Sequence, residues 1–222
     1  MCGRYTLYTS PAKIAAHFHL HQVQDLIPRF NIAPSQTVPV VRGESSYREL
    51  TLLRWGLIPH WSKEEKSPYN LINARAETVA TKPAFRGAFR QRRCLIPADG
   101  FYEWKAEADG KQPYYIRHHD GEVFAFAGLW EHWEGETGKY IDSCTIIVTA
   151  ANKLIQPIHD RMPVILEPVD YETWLNPNNN QATSVLTALL KSYPPEKMKA
   201  CPISKKVNRP TNDDPACITP LP

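Results

Sequence analysis

Residues 114 to 149 read YYIRHHDGEVFAFAGLWEHWEGETGKYIDSCTIIVT, and this stretch decides the fold class. It contains three runs rich in aromatic and β-branched residues, at 114–118, 123–129 and 144–149, separated by polar segments that contain glycine. Short runs of this composition between turn residues are typical of β-strands. Further runs at 38–41, 49–55 and 163–166 continue the pattern. The sequence therefore predicts a protein built mainly from strands.

Helical signals are fewer. Ser10 followed by Pro11 is typical of a helix N-terminus and predicts a helix through Phe18, while 171–175 and 183–193 have helical spacing. Strands and helices do not alternate regularly, which argues against a parallel α/β fold. We therefore predict an α+β fold, with a mainly antiparallel, barrel-like β-sheet and flanking helices.

The composition excludes several classes of protein. The 222 residues are 42% hydrophobic and 22% charged, which is typical of a globular protein, and we expect a single domain over 1–222. The apolar runs are too short to cross a membrane, and the N-terminus lacks the apolar core of a signal peptide. The five cysteines are an odd number without a close pair, which predicts free thiols in a reducing compartment. We expect a soluble, cytoplasmic monomer that contacts no membrane.

Cys2 directly follows Met1. A small second residue leaves the methionine removable, and its removal would place a free α-amine and a thiol on the same residue. An aldehyde can then take the amine as an imine and afterwards the sulfur, closing a five-membered thiazolidine. The α-amine has a pKa near ~8, against ~10.4 for lysine, so a larger fraction is nucleophilic at neutral pH. Taken alone, a cysteine at position 2 is more often an ordinary surface or core residue.

The segment Asn73-Ala-Arg75-Ala-Glu77 alternates polar with small residues. In an extended chain its polar side chains share one face. An amide that donates and accepts, beside a fixed guanidinium, suits positioning a nucleophile and holding a phosphate. A solvated strand face is the alternative interpretation.

Two further motifs carry groups suited to proton transfer. Glu103 stands among aromatic residues in DGFYEWK, where desolvation would raise the pKa of its carboxyl and make it a usable acid or base. The same pattern also fits a turn with Glu103 pointing outward. His159, in IHDRMP, could move protons near neutral pH, although a lone histidine is structural more often than catalytic.

Basic residues crowd one short stretch, although the net charge of the whole chain is only +3. Against the single acidic Glu77 stand six of them: Arg75, Lys82, Arg86, Arg90, Arg92 and Arg93. Such a run predicts a nucleic-acid site or, more commonly, a solvated surface. His17 and His21 are spaced for metal binding on one helix face, but no cysteine or placed carboxylate accompanies them, so we predict no metal site.

Six motifs occur in order along the chain: MCGRY from 1, NIAP from 31, WGLIP from 55, LINARAET from 71, DGFYEW from 99 and HDRMP from 159. Together they resemble the SOS response-associated peptidase (SRAP) family, and the match extends from residue 2 to about Asn208. The resemblance implies an SRAP-like fold with a barrel-like sheet, a basic groove for DNA, and a processed cysteine N-terminus at the floor of the groove.

The resemblance also implies covalent chemistry on abasic sites in single-stranded DNA, in which the protein senses and shields the damage through a thiazolidine crosslink. This lyase-like chemistry occurs in a family that is also classed with peptidases and hydrolases. Cys2 would be the nucleophile, Asn73 would hold the reacting end in place, and Glu103 would assist deprotonation of the amine. His159 would protonate the sugar oxygen during ring opening and act again in slow reversal. No cofactor is implied, because these steps need only acid and base.

Residues implied to contact DNA fall into three groups. They are the phosphate-binding Arg4, Arg75 and Arg161, the residues Pro34 and Trp61 that pack against bent DNA, and Arg86 and Arg90 of the basic run. Ser62 stands where some members of the family carry a second tryptophan. When bound to DNA, the protein would be associated with the nucleoid.

Two other functions remain open. An N-terminal cysteine peptidase would use the same thiol and base, either to process itself or to cut peptides. A non-catalytic single-stranded DNA-binding module would use the basic run and the aromatic residues, and Cys2 would be dispensable. Intact mass after incubation with abasic single-stranded DNA separates these functions.

Overall fold

The computed structural model describes residues 2–44, 47–65, 71–178 and 183–222. Within these ranges the strands are β1 (Tyr5–Leu7), β2 (Arg29–Ile32), β3 (Thr37–Glu44), β4 (Tyr47–Trp55), β5 (Asn73–Arg75), β6 (Arg93–Ala98), β7 (Gly100–Glu107), β8 (Gly110–His118), β9 (Phe124–Glu134), β10 (Tyr140–Ala150), β11 (Arg161–Pro163), β12 (Ile165–Leu166) and β13 (Met198–Pro202). The α-helices are α1 (Pro11–Phe18), α2 (Arg86–Gln91), α3 (Tyr171–Leu175) and α4 (Thr183–Ala188). Short 3-10 helices span Pro168–Asp170, Pro195–Lys197, Lys205–Asn208 and Pro215–Ile218.

Five strands close into a barrel. β10 pairs with β4, β4 with β3, β3 with β6, β6 with β9, and β9 pairs back to β10. Closure gives every strand in the ring a neighbour on both sides, which is how small barrels avoid exposed edges. Large apolar side chains such as Leu95, Phe126 and Ile146 are fully buried. The barrel and the sheet around it therefore enclose the main hydrophobic core.

A second sheet has the strand order β13, β8, β7, β1, β2 and carries the N-terminus. β1 pairs with β7 in antiparallel register, with Tyr5 opposite Phe101. Gly100, at the start of β7, has no room for a side chain, because a Cβ there would lie 2.6 Å from the carbonyl oxygen of Ile116 and from the ring of Tyr115. This close approach fixes the start of the strand that bears Glu103.

The predicted fold class is confirmed, because the structure has a closed β-barrel core, mainly antiparallel pairing and few helices. Parallel pairing is confined, in the described part of the chain, to β10 with β4 and β10 with β5. The predicted strands correspond to β3, β4, β8, β9 and β10, and the helices α1 and α3 occur where they were expected.

Two predicted elements were wrong in detail. The strand over 163–166 is interrupted at Val164, where the chain leaves β10 and pairs with β9: its N–H donates to Ile147 and its carbonyl accepts from Ala127. The helix over 183–193 ends at Ala188, because Leu190 bonds to the carbonyl three residues back and so tightens the turn. Among the described residues, no helix is both long enough and apolar enough to span a membrane.

Candidate functional site

The carboxyl end of β10 organises the site. Val148 of β10 pairs with Arg75 of β5 and also with Pro163 of β11, so β5 and β11 lie on opposite edges of β10. β5 presents Asn73 and Arg75, and β11 begins at Arg161, two residues after His159. Motifs that are far apart in the sequence thus converge on the end of one strand.

Asn73 has a side-chain amide without a partner. Both its Oδ1 and its Nδ2 are buried, and neither makes a hydrogen bond to any residue that the structure describes. An unpaired buried amide is costly and is uncommon outside functional sites. Ile146 of β10 is its register partner, so the backbone of Asn73 is firmly held. The amide therefore has both polar atoms available for a partner outside the part of the chain that the structure describes.

Arg75 is exposed, whereas Arg161 is bound by other residues of the protein. The guanidinium of Arg161 donates to both carboxylate oxygens of Glu77, at 2.6 and 2.7 Å, and to the carbonyl of Val148 at 3.2 Å. The predicted alternation ends at Arg75, because Glu77 lies in a turn instead of continuing the strand.

Cys2 lies beside β7. The N–H of Tyr102 donates to the carbonyl of Arg4 at 3.0 Å, and this bond continues the pairing of β1 with β7 toward the N-terminus. Cys2 is fully buried in the main core. Burial raises the pKa of its thiol well above the ordinary value, and the nearby carboxylate of Glu103 acts in the same direction. The thiol is therefore protonated at neutral pH.

Glu103 is buried, with 2% of its surface exposed. Desolvation raises the pKa of its carboxyl to about 7, against an ordinary value of 4.5. The inward position is confirmed, and an outward position at a turn is excluded. A carboxyl that titrates near neutrality can both take and return a proton.

His159 contacts Glu103 from the end of the β10–β11 connection. Its Nε2 lies 3.9 Å from Oε2 of Glu103, and its Nδ1 accepts the N–H of Arg161 at 3.0 Å. Because Nδ1 accepts, the neutral ring carries its proton on Nε2, the nitrogen that faces Glu103. Burial lowers the pKa of His159, so the ring is neutral at neutral pH.

A cavity of about 460 Å³ opens beside these two groups. It is lined by Arg4, Glu103, Trp104, Lys111, His159 and Asn208. Arg4 also binds the rest of the chain: its guanidinium donates to Oδ1 of Asn31 and to the carbonyls of Val207 and Asn208. Arg4 therefore lines the cavity and also attaches the N-terminus to the C-terminal segment.

Pro34 and Trp61 lie near the carboxyl end of β4. β4 and then β5 pair with the same edge of β10. Pro34 is in a turn whose Ser35 N–H donates to the carbonyl of Trp55 at 2.8 Å. Trp61 is 58% exposed on a segment fixed by the bond from Trp133 Nε1 to the carbonyl of Ser62, at 2.7 Å. The arrangement presents an exposed indole on a rigid support.

Only some residues of the basic run lie on the protein surface. Arg86 and Arg90 are exposed, four residues apart on α2. Arg93, by contrast, is buried and donates to backbone carbonyls, including those of Phe89 and Trp174, and Arg92 pairs with Glu131 at 2.8 Å. The interpretation of all six residues as one basic face was wrong, because Arg93 anchors the end of α2 inside the protein.

The position of α2 separates Arg86 and Arg90 from the catalytic candidates. α2 lies at the Arg93 end of β6, whereas the other end, at Ala98, leads into β7 and Glu103. Six strand residues span roughly 17 to 20 Å. Glu131 nevertheless joins Arg92 to His60, at 3.1 Å for the histidine, so the end of α2 adjoins the segment that carries Trp61.

Histidines elsewhere give little reason to assign a metal. His17 hydrogen bonds to the hydroxyl of Tyr171 at 2.9 Å. Among the residues that the structure describes, one group could hold an ion: His118, His119 and Asp120, with ligand atoms within 4.8 Å of one another. The N–H of Asp120 donates to Nδ1 of His118 at 3.3 Å, which already occupies one of these nitrogens. We assign no metal to this group.

Comparison with known proteins places this geometry in a family. The family model described as SOS response associated peptidase (SRAP) matches residues 1–210. The chain is 44% identical to the abasic site processing protein YoqW of Bacillus subtilis, over 98% of this chain and 99% of that protein. It is 31% identical to the abasic site processing protein YedK of Escherichia coli, over the full length of both. A crystal structure of a protein from Bacteroides thetaiotaomicron superposes with a TM-score of 0.87 at 29% identity, covering 99% of this chain and 100% of that one.

The structure has a closed barrel, with Cys2 beside the buried Glu103 and His159 next to that carboxyl. The chain belongs to the SOS response associated peptidase (SRAP) family.

The sequence analysis missed two residues of the cavity, Lys111 and Asn208. Lys111 lies on β8 opposite Ala106, and the turn between the strands is Ala108-Asp109. The Asp109-Gly110 pair indicates a hairpin, but it would place the turn one residue too late and so give the wrong register. Asn208 had no usable signal, because it reaches the site through the C-terminal 3-10 helix.

Proposed function

We propose that this protein senses abasic sites in single-stranded DNA and shields them by a covalent thiazolidine crosslink through Cys2, after removal of Met1. Met1 lies outside the described residues, so its removal is part of the proposal. The observation that carries the proposal is the meeting of Cys2, Glu103 and His159 from separate parts of the chain, with a carboxyl whose pKa is about 7 at the centre. Similarity to proteins named for abasic site processing supports it.

The first step opens the abasic sugar. The ring oxygen gains a proton and the C1′ hydroxyl loses one, which leaves an aldehyde and no net change in protons. His159 supplies the proton from Nε2 in its minor imidazolium form, and the neutral ring that results takes the proton of the C1′ hydroxyl; Nε2 is the nitrogen on the side of Glu103 and the cavity. A positioned acid of this kind typically contributes about 10² to 10⁴ in rate.

The second step forms the imine. The α-amine of Cys2 attacks C1′, and the aldehyde oxygen leaves as water. Glu103 takes a proton from the incoming ammonium, since the pKa of its carboxyl, about 7, is close to that of an α-amine at ~8. The buried, unpaired amide of Asn73 positions the reacting end.

The third step closes the ring. The Sγ–H of Cys2 adds across the C=N bond, so that a C–S bond forms and the proton goes to nitrogen. Because burial keeps the thiol protonated, the amine reacts first and the sulfur second. The thiazolidine removes the imine that would otherwise promote strand cleavage by β-elimination.

DNA binding in the proposal rests on charge and on one exposed aromatic ring. Arg75 and Arg161 flank the end of β10, Arg86 and Arg90 offer a separate positive surface on α2, and Trp61 offers a stacking face. Such contacts bind single strands with little dependence on sequence. We further propose that residues 1–222 form one domain, which the family match over 1–210 supports.

Burial of the thiol argues against the peptidase alternative. A cysteine peptidase needs a thiolate and hence a lowered pKa, whereas burial raises the pKa of Cys2. The non-catalytic alternative leaves the unpaired amide of Asn73 and the buried carboxyl of Glu103 without a role.

Intact mass spectrometry tests the proposal. Purified protein is expected to lack Met1 and, after incubation with an oligonucleotide carrying one abasic site, to gain the mass of the DNA less one water. The same mixture should give a shifted band on a denaturing gel, while an undamaged oligonucleotide gives none. Retained Met1 together with crosslinking, or turnover of peptides without crosslinking, would overturn the proposal.

A further inference from the structure

One wall of the site cavity has no role in the proposed chemistry. Beyond Glu103 and His159, the cavity is lined by Trp104, Lys111 and Asn208. Its volume of about 460 Å³ is within the range of cavities that hold small ligands, and it exceeds what an aldehyde alone would fill. The cavity thus has room for a further part of a ligand beside this wall.

Lys111 supplies an available positive charge. It is exposed, and among the residues that the structure describes no hydrogen bond or ion pair engages its ammonium. Its strand is firmly held, because Nε2 of the neighbouring Gln112 donates to the carbonyl of Ile203 at 2.8 Å. An exposed side chain on a fixed backbone suits contact with a phosphate, which a lysine binds as a point charge.

The charge balance of the cavity favours an anion. Arg4 and Lys111 are cationic, and Glu103 is the one acidic residue among those that line it. The pKa of Glu103 is raised to about 7, so its carboxyl is partly neutral at neutral pH, and His159 is neutral because burial lowers its pKa. The positive charge of Lys111 acts on His159 in the same direction.

Trp104 adds an apolar surface. Its Nε1–H already donates to Oδ1 of Asn208 at 2.8 Å, so the ring has no further polar group to offer. The guanidinium of Arg4 lies 6.0 Å from the ring centroid, on the side of the cavity. An indole of this kind packs against a sugar or a base with little dependence on sequence.

The geometry of His159 connects this wall to the DNA. Nδ1 of His159 is turned to the backbone of Arg161, and Nε2 is turned to Glu103 and the cavity. His159 thus lies between the start of β11, which bears Arg161, and the cavity, which Lys111 lines. We propose that the wall of Trp104, Lys111 and Asn208 seats the nucleotide next to the abasic sugar, with the Lys111 ammonium on its phosphodiester. This inference rests on the proposed function.

Binding of a non-reactive analogue tests the inference without the covalent step. The probe is a fluorescent single strand with a central tetrahydrofuran residue, which has no aldehyde form, measured by anisotropy between 50 and 300 mM salt. Lys111→Ala is expected to weaken binding about 3- to 10-fold at low salt and to reduce the salt slope by about 0.7, the value for one phosphate contact on a single strand. Lys111→Arg should restore both.

Lys105→Ala is the matched control, because Lys105 lies on the same hairpin, pairs weakly with Glu107 at 3.9 Å and does not line the cavity. It should bind as wild type does. Equal affinity of Lys111→Ala and wild type would overturn the inference.

Probes with one neutral methylphosphonate, at the linkage 5′ or 3′ of the analogue, identify the phosphate. At one of the two linkages the methylphosphonate should weaken wild type but not weaken Lys111→Ala any further. If the losses of affinity caused by the methylphosphonate and by Lys111→Ala add fully at both linkages, Lys111 contacts neither phosphate. Absence of crosslinking by wild type on genuine abasic DNA would refute the proposed function, while the binding result with the analogue would still decide the role of Lys111.

Discussion

Glu77 binds both terminal nitrogens of the Arg161 guanidinium, at 2.6 and 2.7 Å, from a position 84 residues away in the chain. The arginine lowers the pKa of Glu77, mainly through this hydrogen bonding, so the carboxylate is charged at neutral pH. The carbonyl of Val148 holds the same guanidinium independently. Arg161 is thus oriented by two partners, and only one of them would repel a phosphate.

Glu77→Gln should tighten binding of single-stranded DNA about 2- to 5-fold at low salt. The substitution removes a negative charge beside Arg161, while Val148 still orients the guanidinium. Anisotropy with an undamaged oligonucleotide measures the change. On an Arg161→Ala background the effect should shrink, because the two side chains act as a unit. Weaker binding by Glu77→Gln would mean that the carboxylate is needed to position Arg161.

Cys2→Ala should change the product and not only the rate. The variant keeps the α-amine but cannot close the ring, so we expect a Schiff base that borohydride traps and that otherwise permits strand cleavage. Denaturing gels with and without borohydride measure both products. Cys201→Ala, at a half-buried cysteine on β13, is the control and should crosslink normally. A heat-stable adduct of Cys2→Ala, equal to that of wild type, would exclude the thiazolidine.

Glu103→Gln should stabilise the fold at high pH. Since the folded-state pKa of Glu103 is about 7 and the ordinary value is 4.5, the folded protein binds more protons than the unfolded chain between these values. The stability contributed by this group is therefore present below about pH 4.5 and is lost as the pH rises through 7. We expect the Tm of Glu103→Gln to exceed that of wild type at pH 8 and to match it at pH 4.5.

The same substitution should slow crosslinking about 10²- to 10⁴-fold, because it removes the proposed base. Single-turnover rates between pH 6 and 9 would also lose the inflection near 7. Glu107→Gln, at the exposed end of the same strand, should change neither the Tm nor the rate. A Tm difference that is equal at both pH values would contradict the raised pKa.

His159→Ala should slow both formation and reversal of the crosslink without loss of DNA affinity. The same residue must act in both directions, by microscopic reversibility. Preformed adducts of wild type and variant would be challenged with excess abasic DNA, and release followed over time. His159→Gln keeps a hydrogen-bond donor but transfers no proton, so it should be as slow as the alanine variant. Release at the wild-type rate would leave His159 as a structural residue.

Replacing Arg86 and Arg90 together with alanine should weaken the initial encounter but not the chemistry. Both side chains are exposed on one face of α2, away from Glu103. We expect the salt slope on intact single strands to fall by about 0.7 for each phosphate that the variant no longer neutralises, with an unchanged crosslinking rate at saturating DNA. The control replaces the exposed Lys191 and Lys199 together with alanine, which removes the same two positive charges. Equal slopes for the two double variants would indicate that Arg86 and Arg90 are merely solvated.

The parts of the fold that the sequence predicts are those with local signals. β9 and β10 are long runs of buried apolar residues, and α1 begins at a Ser-Pro pair. β1 and β5 have three residues each, too few for a period to show, and they are strands because β7 and β10 pair with them. Their existence depends on contacts between distant parts of the chain.

The residues of the site also divide into those that local sequence signals indicate and those that depend on contacts between distant parts of the chain. Residue chemistry and resemblance indicated Cys2, Asn73, Glu103 and His159. The structure places Cys2 and His159 near Glu103, and Asn73 beside β10. Charge alone could not reveal that Arg93 is turned inward, since a buried arginine and a surface arginine look alike in a sequence. Charge alone also could not reveal that Glu77 binds the guanidinium of Arg161, because this ion pair forms only after β11 aligns with β10.

The bonds from Arg4 to the carbonyls of Val207 and Asn208 have a consequence for protein synthesis. The first of them joins residues 203 positions apart, so a ribosome that adds about 5 to 20 residues per second makes the two partners roughly 10 to 40 seconds apart. During that interval the pocket around Arg4 is incomplete. Until then the amino-terminal segment lacks its attachment to the C-terminal segment, and a chain that is released before residue 207 has no partner for Arg4 at this end of the pocket.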